Sequence, residues 1–197
     1  QVERKIWNEC ANFNNDDTNI GNPFLSHEFF CSLEDSGSVS KETGWISQHI
    51  LLSDNNSIVG ILPNFIKNHS WGEYIFDQVF AQALENAGGK YYPKLLSAVP
   101  FSPVPGERFL IKAGYDKQEI IKLLLNALEE LIKIYKVSSG HINFINKDQI
   151  KYFSSEHSWL ERQNIQFHWN NDNYENFDHF LSKLSSSKRK TIRRERK

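Results

Sequence analysis

The sequence has no methionine, only two cysteines and no long hydrophobic run. No apolar stretch approaches the roughly 20 residues needed to cross a bilayer, so no transmembrane segment is predicted. Nor does the chain open with the charged segment, apolar run and small-residue cleavage site of a secretory leader. Because even position 1 is not methionine, we expect the chain to begin inside a longer gene product.

The two cysteines, Cys10 and Cys31, show no metal-ligand spacing. Few and unpatterned cysteines are typical of reducing compartments, so we expect free thiols and a cytoplasmic location, with one disulfide as the less favoured alternative. No HExxH, CxxC or phosphate-binding P-loop motif occurs, and there is no Gly-x-Ser-x-Gly nucleophile elbow. The sequence therefore predicts no metal site and none of the enzyme classes that these motifs mark.

Large apolar side chains and an uneven distribution of charge are what the sequence does contain. Hydrophobic residues make up 39% of the chain and aromatic residues 13%, which is enough to fill the core of a globular domain. The net charge is −1, but from Lys183 onward eight Lys or Arg residues stand against Glu195 alone, which gives +7 and leaves −8 for residues 1–182. The C-terminal segment is therefore electrostatically distinct from the rest.

Hydrophobic periodicity predicts an α/β chain. Asp116 followed by Glu119 predicts a capping box for the long helix over 117–137, and Asp54-Asn55-Asn56 predicts a hairpin turn. The predicted helices cover 2–12, 23–33, 76–87, 117–137, a short segment from 148 and 174–184; the predicted strands cover 45–53, 57–67, 95–101, 141–145 and 166–169. This order favours a mixed β-sheet flanked by helices.

The stretch from 69 to 111 holds the most unusual residue choices. Apolar residues at spacings of three and four over 76–87 predict a helix with one buried face, which a Gly-Gly pair ends. A Tyr-Tyr-Pro corner at 91–93 then leads into a buried strand, because the residue before a proline disfavours helix. The proline-glycine loop at 102–106 follows the carboxyl end of that strand, a common place for an α/β sheet to bind a ligand.

Four segments, HSWGEYIFD, AGGKYYPKLLSAVPFSPVPGERFL, QFHWNN and FLSKLSSSKRKTIRRERK, resemble the FemAB-like branch of the GNAT acyltransferase superfamily, often described as peptidoglycan biosynthesis proteins. The resemblance covers most of the chain from Asn22 onward. It implies a GNAT-like domain over 1–163, with a mixed sheet flanked by helices. It also implies the beginning of a second, truncated GNAT-like half over 164–197 with a basic helical tail.

The function implied by the resemblance is an N-acyltransferase. Such a protein moves an acyl or aminoacyl group from acyl-CoA or aminoacyl-tRNA to an amine acceptor, here a small molecule or cell-wall precursor. The alternative is a non-catalytic recognition module that binds a cell-wall precursor or nucleic acid through its tail. Standard GNAT proteins hold the CoA pyrophosphate on an Arg/Gln-x-x-Gly-x-Gly/Ala loop, whereas PVPGERFLI stands here and an acidic helix start follows. This departure disfavours acyl-CoA in this half, and FemAB enzymes similarly use aminoacyl-tRNA.

Glu73 and Asp77 are the preferred catalytic candidates, because an acceptor amine must be held and deprotonated before it attacks a carbonyl. His27 is a third candidate, since FLSHEFF resembles a Ser-His motif of the family; the residues alone favour a plain helix-start role. The predicted substrate-binding residues are His69, Ser70, Tyr74, Tyr91, Tyr92, Lys94 and Arg108. Lys94 or Arg108 would meet phosphates, while capping by Ser70 and packing by the tyrosines are the alternatives.

The basic tail SSSKRKTIRRERK supplies the predicted phosphate or nucleic-acid contacts. These residues are Lys188, Lys190, Arg193, Arg194 and Lys197, and the last four share one face if the tail is helical. Such a face fits tRNA, a nucleotide-linked precursor or an anionic lipid head. The alternative is a solvated run of charge, and without interleaved aromatic residues no base stacking is predicted.

Overall fold

Two units, Gln1–Ser158 and Trp159–Lys197, make up the chain. A computed structural model describes residues 2–13, 21–153 and 159–196. In the first unit the described helices are α1 (Arg4–Cys10), α2 (His27–Asp35), α3 (Gln78–Asn86), α4 (Lys117–Tyr135) and α5 (Lys147–Ile150). Its described strands are β1 (Trp45–Ser47), β2 (Ile50–Asp54), β3 (Ser57–Leu62), β4 (Phe65–Lys67), β5 (Lys94–Ser97), β6 (Leu110–Ile111) and β7 (Gly140–Ile142). The second unit contains α6 (Phe177–Ser182) and α7 (Ser186–Glu195).

Side-chain caps explain where the helices of the first unit begin. The Asp116 carboxylate accepts a hydrogen bond from Glu119 N at 2.8 Å, which confirms the predicted start of α4. The Ser26 hydroxyl accepts one from Phe29 N at 3.2 Å, so that α2 begins after a short 3-10 turn rather than at Pro23. Each cap satisfies an N–H group that no helical carbonyl can reach.

The two predicted strands over 45–53 and 57–67 form four shorter strands. Asn55 and Asn56 make the predicted hairpin turn with φ of 46° and 65°, since Asn tolerates the left-handed region. Both arms of the hairpin break near Pro63, which lacks the N–H that a ladder needs. The base of the hairpin, β1 and β4, therefore lies in the sheet with strand order β1-β4-β5-β7. Its tip, β2 and β3, lies in the sheet with strand order β2-β3-β6.

Strand directions make the first sheet mixed, as predicted. The β1-β4 and β4-β5 pairs are antiparallel, whereas β5 and β7 run parallel. The 4 residues of β5 are all buried, and α4 buries the apolar stripe predicted for its inner face. That stripe consists of Ile120, Ile121, Leu124, Leu125 and Leu128. The confirmed fold class is an α/β protein whose mixed sheet is flanked by helices.

Several expected elements differ in the structure. The predicted apolar face of α3 is exposed: Val79 is 78% and Phe76 72% accessible, and only Ala81 is buried within the helix. No strand forms over 166–169, where Phe167 is 95% exposed. The predicted strand over 95–101 is shorter, and β6 was not predicted because 2 residues carry no periodic signal. Apolar spacing shows that a face exists, but burial requires a packing partner.

Among the described residues, none of the helices combines the length and apolar character that crossing a membrane requires.

Candidate functional site

The ammonium of Lys94 lies at the centre of a buried polar cluster. It donates to Asp77 Oδ2 at 2.7 Å, to Ser70 Oγ at 2.8 Å and to Glu73 Oε2 at 2.9 Å. An ammonium group has three N–H donors, and each is satisfied here. Lys94, Glu73 and Asp77 are all buried, so that one cation is shared by two carboxylates away from water.

The connection between β4 and α3 brings this cluster together. Ser70 and Glu73 lie on this connection, and Asp77 is the N-cap residue of α3. Gly72 turns the connection with φ of +78°, and its carbonyl accepts a hydrogen bond from Phe101 N at 3.0 Å. A Cβ atom at Gly72 would lie 2.7 Å from the Phe101 ring. Only glycine therefore allows this close approach, which holds Glu73 against Lys94.

Both tyrosines of the predicted corner contribute their hydroxyl groups. Tyr91 donates to Asp77 Oδ2 at 2.8 Å, and the Tyr92 hydroxyl lies 2.8 Å from Ser70 Oγ. Burial, together with the Asp77 carboxylate, raises the pKa of Tyr91 above its ordinary value. The Lys94 ammonium is also 5.3 Å and 5.6 Å from the two ring centroids, within range of a cation–π attraction.

The pKa values of the two carboxylates are shifted in opposite directions. Burial by itself would raise the pKa of Asp77, but hydrogen bonds from Lys94, Ser70 and Tyr91 outweigh it and hold the pKa below its ordinary value. For Glu73 burial is the larger effect and raises the pKa, although Lys94 opposes it. One oxygen of each carboxylate, Asp77 Oδ1 and Glu73 Oε1, is buried without a hydrogen-bond partner. Glu73 is therefore the better proton acceptor.

Lys67 is a member of this region that the sequence did not single out. It is the register partner of Lys94 across β4 and β5 and is fully buried. Its ammonium lies 3.6 Å from the centroid of the Trp45 ring and donates to the Trp71 carbonyl at 3.2 Å. Burial lowers the pKa of Lys67 to about 7. Strand alternation would have indicated its inward direction, because Phe65 two residues earlier is also buried.

His69 and Tyr74 lie beside the cluster rather than in it. His69 Nδ1 accepts from Trp71 N at 3.1 Å, and its Nε2 lies 3.1 Å from the Thr43 carbonyl. The ring thus links the connection to the turn that precedes β1. Tyr74 is 54% exposed with φ of 55°. Substrate contact by either residue stays a prediction.

His27 does not belong to the Lys94 cluster. No hydrogen bond among the described residues links it to Glu73 or Asp77. Its Nε2 lies 3.0 Å from the Val2 carbonyl and 3.4 Å from the Cys31 sulfur. The neighbouring Glu28 pairs with Arg4 instead of with His27. Sequence reasoning found no partner for Cys31, although the i, i+4 spacing on α2 was the available signal. Burial and nearby acidic residues raise the pKa of Cys31, which disfavours a reactive thiolate.

Arg108 is buried at the end of the proline-glycine loop. Its guanidinium donates to three backbone carbonyls, those of Val104 at 2.6 Å, Asn143 at 2.8 Å and Glu107 at 3.0 Å. Burial lowers its pKa to about 10. In this arrangement the guanidinium joins the loop to the end of β7, and phosphate binding by Arg108 stays a prediction.

The start of α4 does not fit a pyrophosphate group. The Asp116 carboxylate already occupies the N–H of Glu119, and Glu119 adds a second negative charge to the first turn. Helix N-termini attract anions through free N–H groups, but a capping carboxylate competes for them and repels a phosphate. The structure thus retains the acidic helix start that the sequence indicated.

The basic segment of the second unit forms α7. Lys188, Lys190 and Arg194 are exposed, and no described acidic side chain forms an ion pair with them. Arg193 lies 3.8 Å from Asp178, while Arg189 donates to carbonyls at the end of α6. Lys197 lies outside the described residues. Anion binding by α7 stays a prediction. Residues 2–13, 21–153 and 159–196 contain no group of three His, Cys, Asp or Glu side chains that could hold a metal ion, and the absence of a metal also stays a prediction.

A mixed sheet flanked by helices, with a buried lysine-carboxylate cluster beside its β4-β5 pair, defines an α/β protein of the predicted class. The chain belongs to the FemAB-like family, described as peptidoglycan biosynthesis/recognition, which it matches over residues 1–197. A search of curated proteins gave no match. Among solved structures it is similar to the apo aminoglycoside antibiotic 6'-N-acetyltransferase AAC(6')-IG from Acinetobacter haemolyticus, with 11% identity and a TM-score of 0.45 over 85% of this chain and 91% of that chain.

Proposed function

We propose that the protein is an N-acyltransferase that moves an acyl or aminoacyl group to the amine of a cell-wall precursor, with Glu73 as the proton acceptor. Membership of the FemAB-like family supports the reaction class. The observation that carries the role of Glu73 is its smaller number of hydrogen-bond donors: Glu73 Oε2 accepts from the Lys94 ammonium at 2.9 Å and Oε1 is buried without a partner, whereas Asp77 Oδ2 accepts from Lys94, Ser70 and Tyr91. We place the reaction in the cytoplasm, where charged tRNA is made, and assign 164–197 to the beginning of a second GNAT-like half.

The proposed step needs one proton acceptor and no covalent enzyme intermediate. The acceptor amine attacks the activated carbonyl of the donor, a C–N bond forms, and the C–O or C–S bond to the leaving group breaks. The amine proton passes to Glu73 Oε1 and from there to the leaving oxygen or sulfur, which regenerates the carboxylate. Asp77 stays ionised and fixes Lys94, which positions Glu73 through Oε2.

An aminoacyl-tRNA donor is favoured over acyl-CoA. The capped, acidic start of α4 and the internally bonded guanidinium of Arg108 leave neither group directed to a pyrophosphate in the first unit. The exposed cations of α7 offer a surface that suits a phosphate backbone. Acetyl-CoA remains the comparison donor because it tests this choice directly.

The test compares Glu73→Gln with Asp77→Asn and Glu130→Gln, an exposed carboxylate on α4 that serves as the matched control. Each variant is incubated with UDP-linked muramyl pentapeptide and either bulk tRNA charged with radiolabelled amino acids or labelled acetyl-CoA. We expect label transfer from charged tRNA, a loss of about 100-fold or more in Glu73→Gln, and no change in Glu130→Gln. Full activity in Glu73→Gln would remove Glu73 from the mechanism.

A second candidate function is recognition without catalysis. The observation that favours it is the cationic surface of α7, where Lys188, Lys190 and Arg194 are exposed without a described acidic partner. We expect the triple alanine variant to lose most of its affinity for tRNA, and the salt dependence of binding to become shallower. Alanine at the exposed Lys5, Lys41 and Lys90 removes the same charge and serves as the control. Binding of charged tRNA without any label transfer would favour this function.

A further inference from the structure

Lys67 and Lys94 place two cations side by side in the interior of the first unit. They are register partners on the antiparallel strands β4 and β5, and both are fully buried. Like charges on paired strands destabilise a sheet, and burying each ammonium has a further cost in lost hydration. Two buried lysines at one register position therefore require a compensating arrangement around them.

The immediate contacts of Lys67 are unusually sparse for a buried charge. It donates to the Trp71 carbonyl at 3.2 Å and lies 3.6 Å from the Trp45 ring centroid. No ion pair between Lys67 and a carboxylate is found in the described part of the chain. Lys94, by contrast, contacts both Glu73 and Asp77. Lys67 is thus a cation without a direct counterion, next to a cluster that has one carboxylate in excess.

The charges of the four groups balance only when Lys67 is counted. With every group ionised, Glu73 and Asp77 carry two negative charges, and Lys94 compensates one of them. The second cation is Lys67, which is attracted by Glu73 and repelled by Lys94. The burial of all four groups makes this balance matter, because charges interact strongly where water is excluded.

We propose that Lys67 is a positioning residue for the proposed reaction, on which this inference rests: its ammonium is the second cation of the cluster and keeps Glu73 in the ionised form that accepts a proton. Lys67 acts through Glu73 and need not touch a substrate. The charged or titratable side chains that interact with the Lys67 ammonium are those of Glu73, Lys94 and His69, and beyond them Asp77, Tyr91 and Tyr92 contact Lys94.

Two features support this role. Burial lowers the pKa of Lys67 to about 7, with Glu73 opposing that decrease, and Lys67 in turn lowers the pKa of Glu73 against the effect of burial. Removing the Lys67 charge must therefore raise the affinity of Glu73 for a proton. Before substrate binds, the Glu73 carboxyl would then be protonated over a wider pH range, and in that form it could not accept a proton from the amine.

The experiment is an NMR titration of the whole chain with carbon-13 label in the Glu side-chain carboxyl and the Lys Cε atoms. Glu73→Gln and Lys67→Met assign the two signals. Lys67→Met keeps an unbranched side chain of similar length, and Lys133→Met on the exposed face of α4 is the matched control. We expect the midpoint of Glu73 to move to higher pH in Lys67→Met and to stay unchanged in Lys133→Met. An unchanged midpoint in folded Lys67→Met would overturn the proposal.

A wild-type measurement covers the case in which Lys67→Met does not fold. The Glu73 carboxyl signal should show a second, smaller step at the pH where the Lys67 Cε signal titrates; without that step the two groups are not coupled and the proposal fails. A structural role alone would not produce the second step in the Glu73 signal. Transfer assays separate this result from the proposed function. Coupling together with full activity in Glu73→Gln would remove Glu73 from the mechanism and leave only an electrostatic link between the two groups, whereas inactive Glu73→Gln without coupling would overturn only the role of Lys67.

Discussion

Lys94 and Asp77 form the shortest contact of the buried cluster, with the ammonium 2.7 Å from Asp77 Oδ2. The pair joins β5 to the N-cap residue of α3, a helix in which only Ala81 is buried. An ion pair therefore holds α3 in place where apolar packing was predicted. Such a pair depends on both partners, because a single buried charge has no compensation.

Replacing Lys94 by Met should destabilise the protein strongly. The change leaves Glu73 and Asp77 buried without the cation that contacts both of them, and loss of one partner of a buried pair costs about 3–5 kcal/mol. Urea unfolding followed by circular dichroism measures the free energy of unfolding. Lys133→Met, which removes an exposed lysine, should stay within about 0.5 kcal/mol of wild type. Equal stability of the two variants would show that the cluster contributes little.

Gly72→Ala should be more harmful than Gly37→Ala. Both glycines have positive φ, 78° and 73°, so that alanine is strained at either position. A Cβ atom at Gly37 meets nothing within 4 Å, whereas one at Gly72 lies 2.7 Å from the Phe101 ring. We expect about 1 kcal/mol of destabilisation at Gly37 and about 1–3 kcal/mol more at Gly72, where overpacking is added. Similar unfolding free energies would mean that the Phe101 ring moves aside without cost.

The stability difference between wild type and Lys67→Met should depend on pH. The folded-state pKa of Lys67 is about 7 against an ordinary value of 10.5, so the unfolded chain binds the extra proton between these values. Stability contributed by this group is therefore lowest below about pH 7 and rises with pH through that window, by up to about 1.4 kcal/mol per pH unit. Unfolding free energies of both proteins between pH 6 and pH 10 measure the effect. A constant difference across that range would contradict the buried, poorly compensated ammonium.

Arg108→Lys should destabilise the protein although it preserves the charge. A guanidinium reaches the carbonyls of Val104, Glu107 and Asn143 at once, whereas an ammonium cannot reproduce that planar geometry. We expect a loss of about 2–4 kcal/mol, because buried carbonyls lose their donors. Arg194→Lys on the exposed face of α7 should change stability by less than about 0.5 kcal/mol. Wild-type stability of Arg108→Lys would instead free Arg108 for the predicted phosphate role.

The elements predicted best from the sequence are those specified by neighbouring residues. The capping box at Asp116, the turn at Asn55 and Asn56 and the inner face of α4 all depend on contacts within a few positions. The strands were less accurate, because one hairpin supplies two sheets and its break near Pro63 depends on how the sheets diverge. No strand forms over 166–169 for a similar reason: alternating apolar and polar residues make a strand only when another strand pairs with them.

For the candidate site, the sequence by itself determined the ingredients Glu73, Asp77, Tyr91, Tyr92 and Lys94, in a chain that matches its family over residues 1–197. Only the tertiary structure decided that Lys94 bridges Glu73 and Asp77, that Lys67 lies opposite it and that His27 lies elsewhere. The physical reason is the distance along the sequence over which each interaction acts. Caps and turns form between adjacent residues, whereas charge compensation and burial depend on strand register and packing between distant segments, which set the proton affinity of each group.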